Sequence, residues 1–159
     1  DLADIFYKYG EIRNSRQVAN RIVISRNLSK INTTSDLVDV ISDLVPEKYR
    51  NQFLAKVFQA IRIEVNDEIS ALGELLLSAE ELLKPGGRLV VVSYHSLEDR
   101  LVKNLMKKGS LTGDIVKDFY GNTTKKFKEI HKKAIVPSDL EIKDNPRSRS
   151  AKLRVAEKI

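Results

Sequence analysis

Apolar residues recur at helical spacing through the first third of the chain. Leu2, Ile5, Phe6 and Tyr9 share one helical face, and Gly10 is placed to end that helix as a C-cap. Ser15 is placed to cap a second helix with Val18, Ala19, Ile22 and Val23 inward and Arg16, Arg21 and Arg26 outward. A third helix is predicted to start near Thr34 or Ser35, carrying Leu37, Val38, Ile41, Leu44 and Val45, and to stop at Pro46. A fourth, longer one carries Phe53, Leu54, Val57, Phe58, Ile61, Val65 and Ile69. Closely joined amphipathic helices pack most simply as a small bundle.

The pattern then changes. Leu72 to Leu83 is helical, with Leu75, Leu76, Ala79, Leu82 and Leu83 as its apolar stripe. Lys84-Pro85-Gly86-Gly87 is a turn signal. The unbroken apolar run Leu89 to Val92 inside Arg88–Ser93 predicts a strand buried on both faces, as in a parallel sheet covered by helices. Ser96-Leu97-Glu98-Asp99 reads as a capping box opening a helix from Leu97 to Lys108. Helix, turn, buried strand, loop and helix together predict a right-handed crossover unit of a doubly wound α/β sheet. Residues 109–125 read as a polar, flexible loop, Phe127 to Val136 as a lysine-rich strand, Ser138 to Ile142 as one helical turn, and Ala151 to Ala156 as a last strand. Such a sheet ordinarily needs about five or more strands. The first strands are therefore expected upstream of Asp1, in keeping with a chain whose only methionine is Met106.

Composition narrows the chemistry. The 159 residues include no cysteine and two histidines, His95 and His131. Disulfides and thiolate metal sites are excluded, no metal site is expected, and a reducing cytoplasm is the expected location. No apolar run approaches the roughly 20 residues of a membrane span, so no membrane partner is expected. The net charge of +6 is uneven: residues 1–103 carry 14 basic against 15 acidic side chains, and residues 104–159 carry 14 against 7. That basic third suits a polyanion such as RNA as well as it suits solvent. None of the seven glycines forms a dinucleotide-binding or phosphate-binding loop, so no cofactor-binding residue is assigned.

Ligands of open α/β sheets bind beyond the carboxyl ends of the strands. The strand predicted at Arg88–Ser93 ends in Ser93, Tyr94 and His95, with Asp99 and Arg100 just behind. Tyr94 is suited to stacking on a base and His95 to moving a proton or holding an exocyclic group; Ser96 and Glu98 read as helix-capping residues. In Asn145-Pro146-Arg147-Ser148-Arg149-Ser150, an extended backbone would point Arg147 and Arg149 the same way, toward a phosphate or into structural ion pairs. Arg62 and Asn66, with Glu64 and Asp67 beside them, are four apart on the long helix and would line a cleft or face solvent.

Four blocks carry a family resemblance: Tyr7 to Asn14 (YKYGEIRN), Phe58 to Asn66 (FQAIRIEVN), Leu83 to Arg100 (LKPGGRLVVVSYHSLEDR) and Asn145 to Glu157 (NPRSRSAKLRVAE). In this order they resemble the ribosomal RNA small-subunit methyltransferase H (RsmH/MraW) family over nearly the whole chain. Ile12 stands where a second acidic residue is common, and Tyr94 where phenylalanine is common. The resemblance implies methyl transfer from S-adenosyl-L-methionine to the exocyclic N4 of a cytidine in 16S rRNA. The partner would be 16S rRNA or the small ribosomal subunit. It implies a fold in which residues 1–55 are an all-helical substrate-recognition insert and residues 56–159 the C-terminal half of a class I, Rossmann-like methyltransferase core. The family's cofactor motifs have no counterpart here and would lie upstream of Asp1. The fragment alone is then expected to be inactive, completed by a missing N-terminal segment or by a second copy. No catalytic acid–base residue is assigned. The rival readings are a non-catalytic RNA-binding module and a fold relative acting on a small molecule.

Overall fold

The computed structural model describes residues 1–115, 119–121 and 125–159. The chain forms two compact units, Asp1–Glu68 and Ile69–Ile159.

The first unit is helical: α1 (Leu2–Gly10), α2 (Ser15–Leu28), α3 (Thr34–Ile41), a 3-10 turn at Ser42–Leu44, and α4 (Glu47–Val65). Their apolar stripes meet in a core of Phe6, Ile12, Val18, Ile22, Leu37, Ile41, Phe53, Val57 and Ala60. Gly10 is not the C-cap the sequence predicts. It is the last residue of α1, and the left-handed cap is Glu11, at φ 50°, whose N–H returns to the Phe6 carbonyl. A Cβ on Gly10 would lie 3.0 Å from the Lys56 carbonyl oxygen of α4 and from Ile12 Cδ1. Glycine is there for the close approach of α1 to α4. The N-cap position of the second helix is Asn14 rather than Ser15, and the Asn14 side chain makes no capping bond. The third starts as expected, because Thr33 Oγ1 accepts from the Asp36 N–H while Asp36 accepts from the Thr33 N–H. The fourth ends earlier than its apolar stripe suggests. The chain breaks at Asn66 and at Asp67 (φ 48°), and α5 (Glu68–Leu82) takes over, so Ile69 belongs to α5. Helix α4 runs unbroken through residues 55 and 56.

The second unit holds most of α5, then β1 (Arg88–Ser93), α6 (Ser96–Lys108), β2 (Phe127–Glu129), α7 (Asp139–Asp144), a 3-10 helix at Pro146–Ser150, and β3 (Lys152–Lys158). The sheet order is β1-β3-β2, with β3 antiparallel to both neighbours. Where the sequence predicts parallel pairing for β1, its neighbour among the described residues is the antiparallel β3, and the last strand of the chain slots between the two earlier ones. Leu76 of α5 and Val102, Leu105 and Met106 of α6 pack with Phe127 and Ala156, joined by Leu89 and Val91. The opposite face carries Val90 and Val92, which are 55% and 49% exposed. The run Leu89–Val92 is thus buried on one face only, because a single helical layer covers this sheet among the described residues. The strand predicted over Phe127–Val136 shortens to β2, with one further bridge from Ile135 to Leu153. Between them His131, Lys132 and Lys133 are exposed and offer no apolar alternation to hold a strand against helices. The loop expected at 109–125 falls partly outside the described residues.

Candidate functional site

The site is built at the carboxyl end of β1. Pairing of Ser93 with Lys152 of β3 holds the end of the strand, and Ser93 is buried, its Oγ 3.4 Å from the Lys152 carbonyl oxygen. The chain then turns directly into α6. The residue that caps α6 is His95, not Ser96. His95 Nδ1 accepts from the Glu98 N–H at 3.3 Å, and Glu98 Oε2 accepts from the His95 N–H at 3.3 Å and from the Tyr94 N–H at 2.9 Å. The predicted capping box is therefore present one residue earlier. An imidazole does the work expected of a serine hydroxyl.

Tyr94 leaves this turn with its side chain 59% exposed. It lines an open groove of about 320 Å³ with Val92, Pro137, Glu141, Asn145 and Leu153 among its walls. That volume sits at the low end of the roughly 300–1,000 Å³ typical of small-ligand pockets. One wall is strand and apolar; the other brings a carboxylate and a carboxamide from α7 and the residue after it.

Asp99 does not face this groove's chemistry but ties α6 to β3. Arg154 Nε donates to Oδ1 at 2.6 Å, Arg154 Nη2 to Oδ2 at 3.3 Å, and Lys152 Nζ to Oδ2 at 3.2 Å. Burial alone would raise the Asp99 pKa. The hydrogen bonds and positive charges of Arg154 and Lys152 outweigh it and hold the carboxyl below its ordinary value. The signal for these partners lay in Lys152-Leu153-Arg154, where alternate residues of a strand share a face. Arg100, the next residue, is exposed.

Arg147 and Arg149 stand differently from expectation. They lie on the 3-10 helix, with buried Ser148 between them donating from Oγ to the Asn145 carbonyl at 2.8 Å. At about three residues per turn, positions two apart point away from each other, so the two exposed guanidinium groups do not form a paired clamp. Arg62 and Asn66 belong to the helical unit and converge on one carboxylate. Arg62 Nε and Nη2 reach Glu68 at 2.7 and 3.0 Å, and Asn66 Nδ2 donates to it at 3.2 Å. Sequence reasoning passed over Glu68, Glu141, Arg154 and the second role of Glu98. Among the described residues, no group of His, Asp and Glu could hold a metal ion, and no helix is long and apolar enough to cross a membrane.

A mixed α/β chain, with a polar turn and a groove at the end of its first strand, is the class that this geometry defines. The particular family follows from comparison. The model of the MraW methylase family matches residues 1–159, and the chain belongs to that family. It is similar to the ribosomal RNA small subunit methyltransferase H of Bacteroides fragilis (strain YCH46), at 55% identity over 157 residues, covering 99% of this chain and 52% of that protein. The proteins of the same name from Flavobacterium johnsoniae and Cytophaga hutchinsonii are 53% and 50% identical, covering 100% and 99% of this chain and 52% of each relative. The chain spans about half the length of the curated relatives it matches.

Proposed function

We propose that the protein carrying this chain transfers a methyl group from S-adenosyl-L-methionine to the exocyclic N4 of a cytidine in 16S rRNA, acting in the cytoplasm on the RNA or the small ribosomal subunit. The observation that carries the reading is the exit of β1. A strand covered on one face carries an exposed phenol from a capped turn into an open groove, on a chain of the MraW methylase family. Residues 1–55 would form the substrate-recognition insert and residues 56–159 the C-terminal half of a class I core, although the compact units divide between Glu68 and Ile69.

The chemistry demands positioning. The N4 lone pair of cytosine is delocalised into the ring, so the amine must be oriented toward the methyl carbon and must lose a proton. Tyr94 would stack on the base and fix its plane. His95 spends Nδ1 on the Glu98 N–H, so its role is to hold the turn, and the proton acceptor is not assigned to it.

The residues present do not fit the methyl donor. Among the described residues, the turn that leads from a strand directly into a helix, Ser93-Tyr94-His95-Ser96, contains no glycine for close approach of a nucleotide. No step is derived through the cofactor. One observation favours a second contribution, RNA docking: Lys128, His131, Lys132 and Lys133 are exposed on and after the short strand β2.

The test incubates the whole protein with methyl-labelled S-adenosylmethionine and either 16S rRNA or small subunits, then analyses the nucleosides. N4-methylcytidine at one position is expected. Label on another atom or another nucleoside overturns the reading. Tyr94→Ala should lower single-turnover methylation on the order of a hundredfold with an unchanged Tm.

A further inference from the structure

We propose that Glu98 is the positioning residue of this site: its carboxylate sets the direction in which Tyr94 leaves β1, and so the seat of the target base. The inference rests on the reading of Tyr94 given above.

A capping box requires one bond from the carboxylate back to the N-cap N–H. Glu98 does more. Oε2 accepts from the His95 N–H and, one residue further out, from the Tyr94 N–H at the shorter distance of 2.9 Å. Oε1 lies 3.3 Å from His95 Nε2, while the Glu98 N–H donates to Nδ1 of the same ring. The imidazole is therefore hydrogen-bonded through Nδ1, and its side chain is only 10% exposed. The bond to Tyr94 adds nothing to the capping of α6, since Tyr94 precedes the cap. It fixes the backbone of a residue whose own side chain is mostly in solvent and is not held by the core. The same carboxylate thus couples the start of α6, the histidine wedge and the aromatic residue facing the groove. Glutamine at this position retains one acceptor oxygen, which can serve both N–H groups as Oε2 does, and places an NH2 donor where Oε1 was, beside His95 Nε2.

The experiment compares Glu98→Ala, Glu98→Gln, Tyr94→Ala and Val102→Ala in the whole protein. It measures single-turnover methylation of 16S rRNA against RNA concentration at saturating S-adenosylmethionine, together with Tm. Val102 is buried on the same helix, in the core formed with Leu76, Leu105, Met106, Phe127 and Ala156, so its truncation reports a loss of stability. A misplaced reactive group costs on the order of a hundredfold. Glu98→Ala is expected to slow the rate at saturating RNA by about ten- to a hundredfold with a small change in the RNA concentration at half-maximal rate, because phosphate contacts dominate affinity. Glu98→Gln should recover part of that loss, and Val102→Ala should stay within about twofold of the parent despite a lower Tm, since core truncation acts on folding. Tyr94→Ala slow with Glu98→Ala at full rate overturns the proposal and leaves the reading of Tyr94 standing. Both at full rate removes that reading and the proposal with it. Rate losses in Glu98→Ala and Val102→Ala that simply track their Tm losses reduce Glu98 to a helix cap and overturn the proposal.

Discussion

Arg154 Nε donates to Asp99 Oδ1 at 2.6 Å, across 55 residues of sequence, and both side chains are 11% exposed. The pair ties the first turn of α6 to the central strand β3. Removing one partner of a buried pair leaves a charge without compensation, at a cost of about 3–5 kcal/mol. Asp99→Ala should lower unfolding free energy by about 3 kcal/mol, near the lower limit because Lys152 is 42% exposed. Denaturant titration checks it, and a loss below about 0.5 kcal/mol, the scale of a surface change, would contradict it. The pH dependence has a definite sign. The folded pKa of Asp99 lies below the unfolded value, so its contribution is present above the unfolded pKa and is lost as pH falls through the folded one. The acid-side fall in Tm should be shallower in Asp99→Asn.

Gly10→Ala should destabilise the helical unit. Its new methyl would meet a backbone carbonyl at 3.0 Å, which cannot swing aside as a side chain end can. Overpacking of this kind costs about 1–3 kcal/mol. A variant at parental stability in circular-dichroism melting would show that α1 and α4 can separate without penalty.

The basic last third of the chain should bind RNA in a salt-dependent, weakly sequence-specific way. Lys126 is already held by Glu80 at 2.9 Å, whereas Lys128, Lys132 and Lys133 are exposed. For every phosphate that a lysine ceases to neutralise, the slope of log affinity against log salt should shrink by about 0.7 on single-stranded RNA. Replacing these three lysines with glutamine should flatten the slope measured by fluorescence anisotropy. An affinity unchanged between low and moderate salt in the parent would remove phosphate binding from this region.

The 159-residue chain alone should bind S-adenosylmethionine weakly or not at all. Its glycines at positive φ are Gly86, Gly109, Gly113 and Gly121, and none stands between a strand and the helix it directly enters. Calorimetric titration checks this, and a micromolar constant would mean that the chain builds a nucleotide site by a different route.

The sequence was most informative where interactions are local. Apolar residues at three- and four-residue spacing located the helices, since one turn decides which side chains share a face. Thr33 and Asp36 marked a helix start because a capping box closes within four residues. Four blocks, Leu83–Arg100 among them, carried the family resemblance, and the family model matches the same chain from end to end. The candidate site was legible as a place, the end of β1, but not as a set of roles. His95 as cap and Glu98 as its grip depend on where one short turn points its backbone N–H groups, and a shift of one residue exchanges serine for histidine in the same motif.

By itself, then, the sequence determined the helical first third, the strand at Arg88–Ser93 and the aromatic turn that follows it, because periodicity and capping act over a few residues. The tertiary structure alone decided that β3 lies antiparallel between β1 and β2, that one face of the sheet is covered while Val90 and Val92 are not, and that Asp99 belongs to Arg154 rather than to the groove. It also turned Arg147 and Arg149 apart, by winding as a 3-10 helix a segment whose residue types permit an extended path equally well. These features depend on pairings between residues tens of positions apart. Their energy comes from side chains and backbone groups that meet only once the chain has closed its loops, and no local pattern records which of them will meet.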